Sequence, residues 1–173
     1  LAAQFAQLQG ARVLAIDIND NRLKMAKDCG LKHTFNSKDG GLEDAVNEFT
    51  NGAKVSTWID ATGLSAVVNE AVNHVAARGE VVLLGSPRAS FKTDITPLLR
   101  KVHLIESIEL KGALEFLWPT FENEFVKHSI ERNSRIILEL MRDGHLNVAP
   151  FYTHKLHPAE AEKAYKGLRD NPD

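Results

Sequence analysis

The stretch Gly10-Ala11-Arg12-Val13-Leu14-Ala15-Ile16-Asp17-Ile18-Asn19 decides the fold of this chain. Its apolar run, residues 13–16, is continuous rather than alternating, as expected for a parallel strand that is covered on both faces. Ahead of it, apolar residues recur at helical spacing over residues 1–9, and Gly10 stands where a helix C-terminal glycine would. The sequence therefore begins with a helix that leads into a buried strand ending at Asp17.

Strands and helices alternate along most of the remaining chain. We predict helices over residues 21–29, 42–49 and 65–77, with Asn19 or Asp20 and Ser65 as caps, and strands over residues 12–17, 32–36, 55–59, 80–84 and 108–113. Parallel strands need crossover helices, and short connections place those helices against the sheet. The fold class is therefore α/β with a doubly wound, Rossmann-like parallel sheet.

The end of the chain follows a different pattern. An amphipathic helix is predicted over residues 132–143, ended by Gly144, then a strand over 149–154 and a helix over 158–168. We expect a dinucleotide-binding domain over residues 1–130 and a separate C-terminal segment over residues 131–173.

Composition excludes several kinds of partner. The 173 residues are 43% hydrophobic and carry a net charge of −2 without basic blocks, which disfavours nucleic acid and membrane surfaces as partners. Apolar runs are far shorter than the roughly 20 residues that cross a bilayer. Cys29 cannot form an internal disulfide, and its place beside Gly30 indicates a small buried side chain. We expect a cytoplasmic protein.

Asp17 is the first candidate binding residue. In dinucleotide-binding folds the second strand ends in an acid that accepts hydrogen bonds from the adenosine ribose, and a carboxylate there repels a 2′-phosphate. This favours NAD over NADP, although an acid at this place can also simply solvate a strand end. Arg22, one helical turn further on, is equally suited to the ribose or to solvent.

The strand order of such folds has a consequence for this chain. A helix and strand that end in Asp17 normally follow a central strand and a glycine-rich loop that holds the pyrophosphate. Neither precedes Leu1 in this sequence. We therefore expect two half-sheets with unpaired edges, and a fragment that folds poorly and binds NAD weakly by itself.

Four segments together carry a family resemblance. The run over residues 10–19, Ile59-Asp60-Ala61-Thr62-Gly63, the run Gly79-Glu80-Val81-Val82-Leu83-Leu84-Gly85, and Leu110-Lys111-Gly112-Ala113 resemble the zinc-type medium-chain dehydrogenases, the alcohol, sorbitol and threonine dehydrogenase relatives. The tail, at residues 142–146 and 158–165, resembles the segment that returns to pack on the catalytic domain.

The resemblance implies roles for five residues. It places the ribose-binding acid and base at Asp17 and Arg22, the turn beside the adenosine at Thr62, and the backbone groups that hold the nicotinamide carboxamide at Leu84 and Ala113. Two features depart from the pattern. A glutamate at 115 stands where some relatives have an apolar residue, and the arginine expected to meet the pyrophosphate would lie after residue 173.

Catalytic zinc in that family is held by the N-terminal half, which this chain does not contain. His154 and His157 have a spacing that suits a metal, but Pro158 follows them and no cysteine cluster is near, so we interpret them as surface histidines. We assign no metal ligand and no catalytic residue within this chain.

The resemblance implies hydride transfer between NAD and an alcohol, a polyol or a similar small molecule, assisted by zinc. Two alternatives stay open: a methyltransferase that uses S-adenosylmethionine, whose second strand also ends in a ribose-binding acid, and a non-catalytic nucleotide-binding relative. By analogy with the family we also expect a homo-oligomer that pairs through residues 90–111.

Overall fold

Two units, each with its own parallel sheet, make up residues 1–170, the part of the chain that the computed structural model describes. Unit 1 contains Leu1–Gly40 and the chain from Thr120 onward, and unit 2 is Gly41–Pro119. Along the chain the elements are α1 (Ala2–Leu8), β1 (Leu14–Asp17), α2 (Asp20–Asp28), β2 (His33–Asn36), α3 (Leu42–Thr50), β3 (Val55–Asp60), α4 (Ser65–Ala71), β4 (Val75–Leu83), α5 (Thr96–Arg100), β5 (Glu109–Gly112), α6 (Ile130–Arg142) and α7 (Ala161–Asp170).

All strand pairs among the described residues are parallel, which confirms the predicted α/β class. In unit 1, β1 pairs with β2 in a register that runs from Leu14 opposite His33 to Asp17 opposite Asn36. In unit 2 the order is β3-β4-β5. The two-stranded and three-stranded sheets are the half-sheets expected from the sequence.

Local sequence signals explain the entry into α2. Asn19 has an extended backbone, and its side-chain Oδ1 accepts hydrogen bonds from the backbone N of Asn21 at 2.8 Å and of Arg22 at 3.4 Å. These bonds satisfy two amides that the first helical turn leaves without partners. The predicted cap at Asn19 is confirmed.

A buried glutamine ties the first helix to a distant part of unit 1. Gln4 is 4% exposed, its Nε2 donates to the carbonyl of Asn147 at 3.0 Å, and its Oε1 accepts from the backbone N of Asn147 at 2.8 Å. Asn147 in turn donates from Nδ2 to the carbonyl of Asp28, at the end of α2. One side-chain amide therefore pairs with a backbone amide as a strand neighbour would.

The core of unit 2 lies between its sheet and its helices. The buried apolar residues come from the end of α4 and the residue that follows it, from β4 and α5, and from the residue that precedes β5; they are Ala71, Val72, Val75, Val81, Leu98 and Ile108. Val81 on the central strand is fully buried, as expected for a parallel strand covered on both faces.

The start of β4 differs from the prediction. The helix predicted to reach residue 77 ends at Ala71, and Asn73 and His74 then close tighter turns onto Glu70 and Ala71. Val75 already pairs with Val55, and a register shift follows before Thr57 meets Glu80. A short helix followed by an early, irregular strand replaces the longer helix.

Two other local predictions were wrong. Ser65 is the first residue of α4 and makes no capping bond. The strand predicted over 149–154 is a 3₁₀ turn, Ala149–Phe151, because Pro150 has no amide for a sheet and favours a helical start. Two elements after Gly85 were not predicted from the sequence, namely α5 and a π-helical turn over Lys101–Ile105. Within residues 1–170, no helix is long and apolar enough to cross a membrane.

Glu106, three residues before β5, is held between two lysines of unit 2. Lys101 Nζ lies 3.1 Å from Oε2, Lys54 Nζ lies 3.3 Å from Oε1, and the carboxylate is 17% exposed. Burial alone raises the pKa of Glu106, but the hydrogen bonds from Lys101 and Lys54 outweigh it, so its pKa lies below the usual 4.5. The charged form of Glu106 therefore stabilises the fold.

We expect Glu106→Gln to lower the free energy of unfolding near pH 7 by about 1–2 kcal/mol, because it removes charge-assisted hydrogen bonds. A carboxyl whose pKa is lowered by folding stabilises above its unfolded pKa and loses that contribution as pH falls through the native value. The difference between the two proteins should thus shrink below pH 4.5. Urea unfolding from pH 3 to 8 measures it, with exposed Glu48→Gln as control; a constant difference would contradict the prediction.

Candidate functional site

The carboxyl ends of the three strands of unit 2 lie at one edge of its sheet. The register sets Asp60 opposite Leu83 and Leu83 opposite Gly112, so the chain leaves β3, β4 and β5 side by side. In open parallel sheets, ligands bind outside the carboxyl ends of the strands. This edge is the candidate site of unit 2.

Asp60, the last residue of β3, organises this edge. Its side chain is buried, and Oδ1 accepts hydrogen bonds from the backbone N of Thr62 at 3.0 Å and from Thr62 Oγ1 at 2.6 Å, while Oδ2 accepts from Gly63 N at 3.1 Å. Its carbonyl accepts from the backbone N of Leu84 and Gly85 at 2.9 and 2.8 Å. Asp60 therefore fixes both the turn after β3 and the exit of β4.

Two glycines let these backbones touch. Gly63 has a φ of +67°, and a Cβ there would overlap the carbonyl oxygen of Ser86. A Cβ on Gly85 would overlap Gly63 N and lie 2.8 Å from the carbonyl carbon of Ala61. The turn after β3 and the loop after β4 are thus in direct backbone contact, which any side chain would prevent.

Leu84 and Ala113 present carbonyl groups at the same edge. The N–H of Leu84 donates to Asp60 and the N–H of Ala113 donates to the carbonyl of Leu83 at 3.1 Å, so both amides are occupied. No described residue donates a hydrogen bond to the carbonyl of either Leu84 or Ala113. Two acceptors on neighbouring strand ends suit the –NH₂ of a carboxamide.

Arg88 reaches back to the turn after β3. Its Nη2 donates to the carbonyl of Thr62 at 2.6 Å, and its backbone N donates to the carbonyl of Gly63 at 3.2 Å. The residue is exposed, so its guanidinium lies at the mouth of the site rather than in the core.

Asp17 closes β1 at the corresponding edge of unit 1. Its Oδ1 accepts from the backbone N of Asn19 at 3.0 Å, and its carbonyl accepts from Ser37 N. No described residue donates a hydrogen bond to Oδ2, the second carboxylate oxygen. Arg22 lies in the first turn of α2 and is exposed. Asp17 thus both supports the turn into α2 and keeps one acceptor available.

Histidine and cysteine side chains, which often bind metals or act as nucleophiles, have structural roles here. His157 Nδ1 accepts from Ala159 N and caps the turn at Pro158–Glu160, while His154 Nδ1 lies 2.9 Å from Thr153 Oγ1. Burial raises the pKa of Cys29, which keeps its thiol protonated. Within residues 1–170, no group of three or more His, Cys, Asp or Glu side chains could hold a metal ion.

The structure groups the predicted residues by unit. Thr62, Leu84 and Ala113 lie at one sheet edge in unit 2, and Asp17 and Arg22 belong to unit 1. Asp60 and Arg88 were not predicted from the sequence as site residues. The sequence did indicate Asp60: an acid at the end of an apolar strand, followed by Ala-Thr-Gly, needs hydrogen-bond donors within the protein. No local pattern indicated Arg88, because its contact partner Thr62 lies 26 residues away in the sequence.

Comparison with known proteins identifies the family. The family model described as zinc-binding dehydrogenase matches residues 1–126. The chain belongs to this zinc-binding dehydrogenase family.

Curated proteins similar to this chain include a reductase and a dehydrogenase. The chain is 38% identical over 103 residues to a D-xylulose reductase of Scheffersomyces stipitis, covering 58% of this chain and 28% of that protein. It is 28% identical over 109 residues to an L-threonine 3-dehydrogenase of Cutibacterium acnes, covering 62% and 32%. The chain thus spans about a third or less of the length of these two relatives.

Solved structures share the fold. An alcohol dehydrogenase from Escherichia coli CFT073, solved with NADH, superposes with a TM-score of 0.73 at 17% identity, covering 96% of this chain and 44% of that one. At this identity the match supports the Rossmann-like fold predicted from the sequence.

We expect Gly63→Ala to lower the free energy of unfolding by about 2–4 kcal/mol, because it adds a backbone overlap to an unfavourable positive φ. Gly52→Ala is the matched control. It has a φ of +78° with nothing within 4 Å of the added Cβ, so only the backbone penalty of about 1–2 kcal/mol applies. Denaturant unfolding of both variants measures the difference. Equal losses would mean that the turn and the loop do not need their close contact.

Proposed function

We propose that this chain is the nucleotide-binding part of an NAD-dependent oxidoreductase that transfers a hydride between the nicotinamide and an alcohol or polyol. Residues 1–130 bind the dinucleotide in this proposal, and the segment 131–173, of which 171–173 lie outside the described residues, packs on a catalytic domain. The enzyme acts in the cytoplasm.

The observation that carries the proposal is the pair of carbonyls on Leu84 and Ala113. They lie on neighbouring strand ends, their own amides are engaged inside the sheet, and neither carbonyl receives a donor from the described residues. A nicotinamide carboxamide offers two N–H donors that fit such a pair. Held there, the ring is oriented by the backbone, and its C4 carbon exchanges the hydride when the cofactor is bound.

Asp17 supplies the second support. Its Oδ2 has no donor among the described residues, and a strand-end carboxylate in this class of fold accepts hydrogen bonds from ribose hydroxyls. The same charge repels a 2′-phosphate and favours NAD over NADP. Arg22 stands one turn further and is proposed to donate to the same ribose. Thr62 is proposed to border the adenosine.

The names of the relatives support the substrate class. A D-xylulose reductase and an L-threonine 3-dehydrogenase both act on small molecules with hydroxyl or carbonyl groups, which matches an alcohol or polyol. Family membership does not favour the methyltransferase alternative. As the family resemblance implies, we propose that any catalytic zinc is bound by a part of the full-length protein outside this chain.

We expect Asp17→Ala to weaken NADH binding to the full-length protein by about tenfold or more, because it removes a charged acceptor for the ribose hydroxyls. NADPH binding should be weak in the wild type and stronger in the variant, since the repelling charge is gone. Nicotinamide fluorescence titration measures both dissociation constants.

Asp39→Ala removes an equally negative but exposed side chain of unit 1 and should leave both constants unchanged. If the wild type binds neither nucleotide, the proposed function is wrong. If it binds NADH and Asp17→Ala changes nothing, only the role of Asp17 is wrong.

We also propose a homo-oligomer that pairs through residues 90–111. This segment of unit 2 exposes several large apolar side chains, namely Phe91, Ile95, Leu99, Leu104, Ile105 and Leu110. A second copy would cover them, as exposed apolar patches of this kind often mark contacts between proteins. The full-length protein should therefore scatter light as a dimer or larger, and Leu104→Glu should shift it toward the monomer. A monomeric wild type would refute this assembly.

A further inference from the structure

Arg88 stands out among the charged residues at the sheet edge of unit 2. It follows Leu84 by four residues in the loop after β4, yet its guanidinium is bound to the turn after β3, through the carbonyl of Thr62 at 2.6 Å. Its backbone N is fixed as well, by the carbonyl of Gly63. The side chain is thus held at the mouth of the site by contacts with both flanking loops.

No acidic side chain of residues 1–170 forms an ion pair with Arg88. No described carboxylate lies within ion-pair distance of its guanidinium, and its one side-chain hydrogen bond goes to a neutral carbonyl. The nearest acid of the turn, Asp60, is already satisfied by Thr62 and Gly63. A guanidinium has five N–H donors, so most of its capacity for hydrogen bonds remains available to a ligand.

We propose that Arg88 binds the diphosphate of the dinucleotide, a role that rests on the function proposed above. The two ends of the cofactor are assigned to Thr62, beside the adenosine, and to Leu84, at the nicotinamide. Arg88 joins these two places, since it extends from the loop after Leu84 to the carbonyl of Thr62. The group that lies between adenosine and nicotinamide in the cofactor is the diphosphate.

The chemistry of the side chain fits this ligand. A planar guanidinium binds phosphate oxygens with two parallel hydrogen bonds, and its pre-set position loses little conformational freedom when the ligand binds. The same chemistry would suit an anionic group on the substrate. The choice of probe therefore has to distinguish binding of a cofactor phosphate from binding of a substrate anion.

The test uses the full-length protein, with NADH, ADP and adenosine as probes. Adenosine keeps the base and the ribose but lacks the diphosphate. We expect Arg88→Ala to raise the dissociation constants of NADH and ADP by about tenfold and to leave that of adenosine within about twofold. Arg88→Lys should give an intermediate loss for ADP, because it keeps the charge without the paired donors. Added salt should weaken ADP binding more in the wild type than in Arg88→Ala.

Arg78→Ala is the matched control. It removes an exposed arginine of unit 2 that lies on β4, five residues before the carboxyl end of that strand and outside residues 90–111, so it should change none of the three constants. Thermal unfolding of each variant, with and without ADP, separates a loss of binding from a loss of folding. A smaller rise in Tm with ADP for Arg88→Ala than for Arg78→Ala supports the proposal even if Arg88→Ala is less stable.

Several outcomes would overturn it. Adenosine binding that weakens as much as ADP binding would mean that Arg88 only supports the turn at Thr62. Unchanged NADH and ADP binding with a raised KM for the alcohol would assign Arg88 to a substrate anion. If the wild type binds no NADH, the proposed function itself is wrong. NADH binding by the wild type is therefore measured before any variant is compared.

Discussion

The edge of unit 2 depends on one buried carboxylate. Asp60 would be costly to bury without partners, and it finds them only if the chain turns back at once, so that Thr62 and Gly63 can donate to it. Its carbonyl then holds Leu84 and Gly85. The turn that gives the buried Asp60 its hydrogen-bond donors thereby also aligns the ends of two strands. The close contact of Gly63 with Ser86 follows from that alignment.

The groups offered at this edge belong largely to the backbone. The carbonyls of Leu84 and Ala113 can accept hydrogen bonds whatever their side chains are, so the sequence constrains them through strand length and register rather than through residue type. Side chains enter the proposed site where charge is required. Asp17 and Arg88 carry opposite charges suited to ribose hydroxyls and to phosphate, and each also supports a local turn.

Strands and helix starts that depend on neighbouring residues were predicted well from the sequence. The continuous apolar runs before Asp17 and before Gly85 gave β1 and the second part of β4, and Asn19 gave the start of α2. The beginning of β4 at Val75 was missed because it depends on pairing with Val55, twenty residues away in the sequence. Arg88 was not predicted for the same reason, because its contact with Thr62 joins residues that are distant in the sequence. Contacts between loops leave no periodicity in either loop.

The bond between Gln4 and Asn147 has a consequence for how the chain acquires its structure. Unit 2 is continuous, so its sheet and core can form as soon as its last residues leave the ribosome. Unit 1 is discontinuous, and Gln4 must wait for a partner that is synthesised 143 residues later. Until then the side-chain amide of Gln4 is hydrogen-bonded to water, and α1 lacks this contact with the rest of unit 1. Within unit 1, α1 is therefore synthesised before the segment that it binds, and it reaches its native contacts only after that segment has been made.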